Sequence, residues 1–273
     1  MGEGRDASAH ALWEGAASGR APGDIMTVAD AIFLFVAGFL SGVVNAIAGG
    51  GTFLTFGAMT LIGLPPIVAN ATSAITQFPG YVTSTLAYGR ELRADWKEAL
   101  LLGGLSLVGG LGGAMLLLSL SNPSFRALVP WLLLAATAIF AVGPYLKPKT
   151  LSPEKPISPL GLAGQFVTSI YGGFFGAGMG IMTLAVLGLT KGGDYHRLNA
   201  LKNFLAVVIA AMAIIVFTSG EVVGWPQAAV MVPAAAVGGY AGVWAARRVP
   251  QPVIRGLVIV VGLALTAYYF MTG

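Results

Sequence analysis

Residues 45–56 read NAIAGGGTFLTF, three consecutive glycines inside a long apolar run. Glycine costs a helix roughly 1 kcal/mol per residue against alanine. Three in a row mark a place where the backbone can leave the helix. The apolar run before them, at about 28–47, matches the ~20 residues that cross a bilayer. The run after them, at about 52–64, is far too short to cross alone. At about 1.5 Å per residue it covers half the hydrocarbon thickness. The stretch therefore reads as a membrane helix that stops near Ala48, a break at Gly49, Gly50 and Gly51, and a half-helix that starts at Thr52.

The rest of the chain supports a membrane setting. Of its 273 residues 56% are apolar and only 10% charged, with mean hydropathy +0.81. A soluble domain carries about 25% charged residues. Further apolar segments fall at about 66–88, 97–120, 125–146, 158–177, 179–190, 197–218, 225–246 and 251–271. This is the pattern of an all-α integral membrane protein, and the short alternating segments of a β-barrel are not seen. Cysteine is absent, which excludes disulfides, thiolate catalysis and cysteine metal sites. The two histidines, His10 and His196, form no metal-binding pair, so no metal or other cofactor is expected. The net charge of +4 reads as membrane topology, not nucleic-acid binding, because the basic residues lie in short loops and only Arg247 and Arg248 are adjacent. Residues 1–25 mix Arg5 and Arg20 with Glu3, Asp6, Glu14 and Asp24 and lack the apolar core of a secretory signal. They are expected to form a disordered tail, with Met26 a natural start.

Sliding the sequence against itself by 129 positions aligns two halves without gaps. Gly49 and Gly51 fall on Gly178 and Gly180, Asn70-Ala71 on Asn199-Ala200, and Trp96 on Trp225. Gly109, Gly110 and Gly113 fall on Gly238, Gly239 and Gly242, Pro123 and Arg126 on Pro252 and Arg255, and Leu134 and Thr137 on Leu263 and Thr266. Glycine, tryptophan, proline and arginine matches in one register exceed what shared hydrophobicity explains. The chain reads as a duplicated five-segment unit, residues 26–146 and 158–273, joined by a linker at 147–157. Basic residues in the 89–97 loop (Arg90, Arg93, Lys97), in the linker (Lys147, Lys149, Lys155), around 190–197 (Lys191, Arg197) and at Arg247–Arg248 put those loops in the cytoplasm. The 219–224 loop has Glu221 and no base, so equivalent loops of the two units fall on opposite sides and the repeats are inverted. Arg126, near the outer side, runs against this scheme. Inverted repeats are a common transporter architecture.

The second unit repeats the break in FFGAGMGIMT, with Gly176, Gly178 and Gly180 ahead of a short segment. A helix N-terminus carries unpaired N–H groups and about half a positive charge. Two such termini facing one another at mid-membrane make an anion site. The competing reading is close helix packing, which is preferred for the G-x-x-x-G pairs Gly109–Gly113 and Gly238–Gly242. Polar residues add to the breaks. Asn70, Ser73 and Gln77 share one helix face, as do Asn199, Lys202 and Asn203. Lys202 is the repeat counterpart of Ser73 and either opposes a bound anion or snorkels to the surface. The candidate binding residues are Asn45, Gly49, Gly50, Gly51, Thr52, Asn70, Ser73, Gln77, Gly176, Gly178, Gly180, Asn199, Lys202 and Asn203. Gln165 and Thr168 are weaker candidates. Asp30, Glu98 and Glu221 are expected to be solvated, and Asp194 with His196 is a candidate proton-sensitive gate. Tyr88, Trp96, Trp225, Tyr268 and Tyr269 suit interfacial belts. No carboxylate pair, histidine cluster or cysteine supplies enzyme chemistry, and no phosphate-binding G-x-x-x-x-G-K-[ST] supplies ATP drive.

The stretch GFLSGVVNAIAGGGTFLTFGAMTLIGLPPIVANATSAITQFPGYVTSTLAYGREL, with its echo GGFFGAGMGIMTLAVLGLTKGGDYHRLNALKNFLAVVIAA, resembles the sulfite exporter TauE/SafE family over about residues 28–271. The resemblance implies a multi-pass permease of the cell (inner) membrane. It implies secondary transport, without ATP, of sulfite, sulfonates such as sulfoacetate, or taurine-like solutes. The expected partners are a small anionic substrate and the lipid bilayer, with no nucleic acid. Coupling to H+ or Na+ and assembly as a homodimer are left open. A carboxylate or other organic-anion transporter, an anion channel and, third, a membrane enzyme are the alternatives. Met179 stands where the first break has Gly50, and NALKN replaces NATSA, so the two halves of the site differ chemically.

Overall fold

The register of the repeat sets where helices begin. The computed structural model describes residues 26–47, 50–146, 155–245 and 251–272. Among them are eleven helices and no strand: α1 Val28–Ile47, α2 Gly51–Leu61, α3 Pro66–Ala87, α4 Gly89–Ala94, α5 Trp96–Leu118, α6 Asn122–Leu146, α7 Pro159–Phe174, α8 Met179–Thr190, α9 Tyr195–Ser219, α10 Trp225–Ala245 and α11 Gln251–Thr272. The first residues of α3, α5 and α6 lie 129 positions ahead of those of α9, α10 and α11. Local chemistry places these starts. Pro65 and Pro66 open α3, the Ser158 hydroxyl accepts from the Gly161 N–H at 3.2 Å at the head of α7, and Asp194 accepts from the His196 and Arg197 N–H groups at the head of α9. Gly63 (φ +90°) follows α2, and Gly192 and Gly193 (φ +68° and +89°) follow α8.

Among the described residues, five helices contain windows long and apolar enough to cross a membrane: Val28–Asn45, Trp96–Leu118, Asn122–Val142, His196–Ser219 and Arg255–Thr272. α2 and α8 are short apolar helices, as their sequences imply. The molecule is inverted relative to a soluble protein. Ile32, Val36, Leu100, Leu107, Met115, Val260 and Met271 are exposed, while Asn70, Ser73, Gln77, Gln165 and Lys191 are buried. That distribution suits a hydrocarbon solvent outside and polar groups satisfied within. The chain is an all-α, multi-pass membrane protein.

Several expectations change in detail. The 89–97 loop contains α4, capped at its end by Asp95. The sixth segment ends at Phe174, not 177, because Gly176 and Gly178 adopt left-handed backbone. Glu98 is not simply solvated, since its carboxylate pairs with Lys191 at 2.7 Å. Tyr269 is not an interfacial residue, as it is 2% exposed and its hydroxyl lies 3.0 Å from that of Thr60. Trp96 and Trp225 are exposed, as belts require. The expectations for residues 1–25, Ala48, Gly49, Lys147, Lys149, Arg247 and Arg248 fall outside the described residues.

Packing follows the repeat. α1 lies along α10 and α5 along α7 in the most extensive helix contacts, α9 against α5 pairs with α3 against α10, and α6 packs on α11. Each helix replaced by its repeat counterpart turns one of these pairings into another. Glycines set the closest approaches. A Cβ at Gly113 would stand 2.0 Å from the Ile170 carbonyl oxygen, at Gly42 2.1 Å from that of Ala235, and at Gly238 2.0 Å from that of Phe39. In both crossings residue numbers rise together, so α1 runs parallel to α10 and α5 to α7. α6 and α11 run antiparallel: Arg126 at the start of α6 donates to the Thr272 carbonyl at 2.9 Å, and its counterpart Arg255 donates to the Ala141 carbonyl.

The glycine crossings generate a test. Gly113→Ala and Gly42→Ala each overpack a backbone contact and should cost about 1–3 kcal/mol. Gly112 faces open space, so Gly112→Ala should hold or raise stability through helix propensity. Melting temperatures of the purified variants in detergent report the difference, and equal values for all three would mean the crossings are looser than this.

Candidate functional site

Both helix interruptions are real and both are tied down from neighbouring helices. At the first, Gly50 is buried and non-helical (φ −109°, ψ 17°) and α2 begins at Gly51. The Gln77 amide donates to the Ser41 hydroxyl at 2.6 Å, and that hydroxyl donates to the Gly51 carbonyl at 2.8 Å. A Cβ at Gly51 would lie 2.6 Å from the Ser41 carbonyl oxygen and 2.9 Å from the Gln77 amide, so only glycine fits under this relay. At the second, α7 ends at Phe174, Gly176 and Gly178 take φ of +78° and +79°, and α8 begins at Met179. The Tyr171 hydroxyl donates to the Ala177 carbonyl at 2.7 Å, and Asn70 donates from its amide to the Phe174 carbonyl at 3.0 Å. Asn70 thus ties α3 of the first half to the break of the second.

The two half-helices begin alike, and the glycine at the N-cap sets them apart from α3, α4 and α5, which also start without a side-chain cap. Each has glycine at its N-cap, Gly50 for α2 and Gly178 for α8, and neither start carries a side-chain cap. By contrast Ser158 and Asp194 cap α7 and α9 with their side chains. An N-terminus without a capping side chain leaves first-turn N–H groups and the positive end of the helix dipole to other partners.

The two starts meet at one cavity of about 30 Å³, reached by Thr52 in the first turn of α2 and by Met179, the first residue of α8. One wall comes from the first half: Thr52, Asn70, Ala74, Gln77 and Tyr81, with the Tyr81 hydroxyl bonded to the Thr52 side chain. The other comes from the second half: Gly172, Gly173, Phe175, Gly176, Met179, Ile209, Ala210, Ala213 and Phe217. The repeat counterparts of Thr52, Gln77 and Tyr81 are Ile181, Ala206 and Ala210. One half therefore supplies polar groups and the other an apolar surface. The Asn70 carbonyl oxygen and the Ser73 hydroxyl are buried and lack a hydrogen-bond partner among the described residues. A polar group buried without a partner is costly, and a ligand or water removes that cost.

Of the residues singled out in sequence, Thr52, Asn70, Gln77 and Gly176 line the cavity. Gly50 and Gly51 stand at the first break behind Thr52, and Ser73 is fully buried one helical turn from Asn70. Asn45 is half-buried with its amide near Gly80 of α3. Gly178 and Gly180 sit in the start of α8, and the Lys202 stem runs beside Gly180, its Cδ 3.6 Å from where a Cβ would stand. Asn203 is buried and Asn199 half-buried on α9; they, Lys202 and Gly180 do not line the cavity. Gly49 lies outside the described residues. Gln165 bonds to Ser106 and Ser169 at 3.1 Å each, between α5 and α7. Asp194 caps α9, and His196 stacks on Tyr88 with centroids 6.3 Å apart. Sequence reasoning missed Tyr81, although it continues the face of Asn70 and Gln77 one turn on. It also missed Ser41 and the apolar wall, which no pattern distinguishes from ordinary helix packing.

Comparison with known proteins agrees with this picture. A family model described as Sulfite exporter TauE/SafE matches residues 34–269. A probable membrane transporter protein, ORF9, from Sinorhizobium sp. is 28% identical over 242 residues, covering 85% of this chain and 89% of that protein. A probable membrane transporter protein from Haemophilus influenzae is 26% identical, over 86% of this chain and 92% of its own length. The probable membrane transporter protein YfcA from Escherichia coli K12 is 25% identical, over 86% and 87%.

The geometry of the second break can be probed directly. Gly178→Ala forces a side chain into left-handed backbone, at about 1–2 kcal/mol. Gly180 is helical and its Cβ direction is in ordinary contact only, so Gly180→Ala should be tolerated. Thermal unfolding should rank Gly178→Ala below wild type and Gly180→Ala level with it or above. The reverse order would mean that the chain turns elsewhere.

Proposed function

The chain belongs to the TauE/SafE family of membrane transporters, and from that premise we propose that it carries a small sulfur-containing anion, sulfite or an organosulfonate such as sulfoacetate, held between the first turns of α2 and α8. The observation that carries this reading is the convergence of two half-helices without capping side chains on one buried cavity. Backbone N–H groups and helix dipoles favour an anion there without a carboxylate or metal. The Thr52 and Tyr81 hydroxyls and the second amide hydrogens of Asn70 and Gln77 are the donors for a charged head, the Asn70 carbonyl oxygen being an acceptor suited to a water, and Met179, Ile209 and Ala213 offer an apolar surface to a short carbon skeleton. That division favours an organic anion over a bare oxyanion. Lys202, beside the first turn of α8, adds a cation to the same helix end.

Residues 26–146 and 158–273 act as two inverted units in this reading. Its support is the exchange of helix pairings under the repeat and the antiparallel run of α6 and α11. The cavity, at about 30 Å³, holds about two waters. Loading and release of anything larger therefore require the units to part, first on one side of the membrane and then on the other.

The reading is tested with purified protein by calorimetry and thermal shift against sulfite, sulfoacetate, taurine and acetate. Sulfoacetate or sulfite should stabilise the protein and acetate should not. Asn70→Ala should weaken binding about tenfold or more, as loss of one hydrogen bond to a charged group implies, and Lys202→Ala should weaken it less, through loss of a cation beside the first turn of α8 that does not itself line the cavity. Equal binding of acetate and sulfoacetate would make the cargo a carboxylate or general organic anion. Wild-type affinity in both variants would move the site elsewhere.

A further inference from the structure

A cluster of buried charges lies at the opposite end of α8 from the cavity. Asp95, at the head of α5, is 6% exposed and Lys191, at the end of α8, only 3%. The Lys191 ammonium stands 2.7 Å from a Glu98 oxygen and 3.5 Å from an Asp95 oxygen. Arg197, in the first turn of α9, grips Asp95 with two nitrogens, the Nε bond being 2.8 Å. Asp95 and Glu98 belong to the first half of the chain, Lys191 and Arg197 to the second. The cluster therefore joins the halves where α5, α8 and α9 meet.

The equivalent corner across the repeat holds no charge. Asp95, Glu98, Lys191 and Arg197 correspond to Gly224, Gln227, Ile62 and Val68. There the halves are joined by the Gly224 N–H donating to Thr72 at 2.9 Å and by apolar contacts of Ile62 and Leu64. A corner of this shape does not need ions to fold. Buried ion clusters add little net stability over apolar packing, because desolvation offsets most of the attraction. They differ in what opening costs: ions that part regain their hydration, whereas parted apolar surfaces gain nothing from water. A charged corner is suited to opening and closing.

We infer that Asp95, Glu98, Lys191 and Arg197 form a latch that closes the transporter on the membrane face where they lie. α8 connects it to the cavity. Its first residue, Met179, lines the cavity and its C-cap, Lys191, carries the latch, about 18 Å away along 12 residues. Release of Lys191 and Arg197 from Asp95 frees α8 and the head of α9 from the first half, and the cavity opens toward that face. The inference rests on the transporter reading but not on which anion is carried.

The chain has no cysteine, so a single introduced thiol reports access without background. Ala74→Cys places one in the cavity wall, and Lys97→Cys, on an exposed residue two positions from Asp95, marks the latch face. Membrane-impermeant maleimide is applied to right-side-out and inside-out vesicles, without substrate. Ala74→Cys alone should label slowly from the face that Lys97→Cys identifies. Adding Asp95→Asn should raise that rate about tenfold or more and lower the rate from the other face, while Asp95→Glu should keep the slow rate. Glu98→Gln, which leaves the Asp95–Arg197 pair intact, should shift labelling the same way by a smaller factor, and it decides the matter if Asp95→Asn does not fold. Unchanged labelling from both faces in the folded variants overturns the latch and leaves the anion site untouched. Loss of anion binding with the labelling shift intact would overturn the site and leave the latch.

Discussion

Everything in this molecule depends on how a broken helix is tolerated inside a bilayer. Hydrocarbon offers no hydrogen bonds, so backbone that leaves the helix must find partners in the protein or face a polar cavity. The chain meets that demand at each break with a side chain of the interrupted helix itself and one from α3. Ser41, held by Gln77, binds the Gly51 carbonyl, and Tyr171 and Asn70 bind the Ala177 and Phe174 carbonyls. These side chains bind carbonyl oxygens, the acceptors of each interruption. The helix starts that follow keep glycine caps and their positive ends. The breaks are thus satisfied on the side that would repel an anion and left electropositive on the side that would attract one.

The duplicated halves have kept their backbone and changed their chemistry. Helix starts and glycine crossings repeat, and Arg126 and Arg255 each bind a carbonyl near the end of the helix that carries the other. Apart from Asn70, matched by Asn199, positions that face the cavity do not repeat. Thr52, Gln77 and Tyr81 stand opposite an arrangement in which their counterparts are Ile181, Ala206 and Ala210. Backbone symmetry is maintained by packing, which tolerates little change at contacts as close as Gly113 to Ile170. The cavity has no such constraint, and its two walls differ, one polar and one apolar.

This division explains what could be read from sequence. The glycine breaks, the half-helices and the duplication leave signatures in residue type and spacing, because glycine tolerates close approach and left-handed backbone and apolar length reports the bilayer. Thr52, Asn70, Gln77 and Gly176 were legible for the same reason, as polar or glycine residues where hydrocarbon disfavours them. Met179, Ile209 and Phe217 were not, since an apolar residue lining a cavity looks like one in a helix contact. The buried charges of Asp95 and Lys191 were also hidden. In sequence they sit at helix ends, where charges are ordinarily solvated, and only the meeting of α5, α8 and α9 removes them from water.

The same asymmetry bears on energetics. In two inverted units that were chemically identical, the inward-open and outward-open states would be related by the symmetry and equal in free energy. Any preference between them must come from positions where the halves differ. Most of those differences, such as Thr52 against Ile181, lie at the cavity and move with it. The corner of Asp95, Glu98, Lys191 and Arg197 is different, for in the proposed latch its ions would regain water on opening, whereas the equivalent Gly224, Gln227, Ile62 and Val68 carry no charge to hydrate. Ions and alkyl groups respond oppositely to water, so in the proposed latch this pair of corners would bias the resting direction without altering the proposed site.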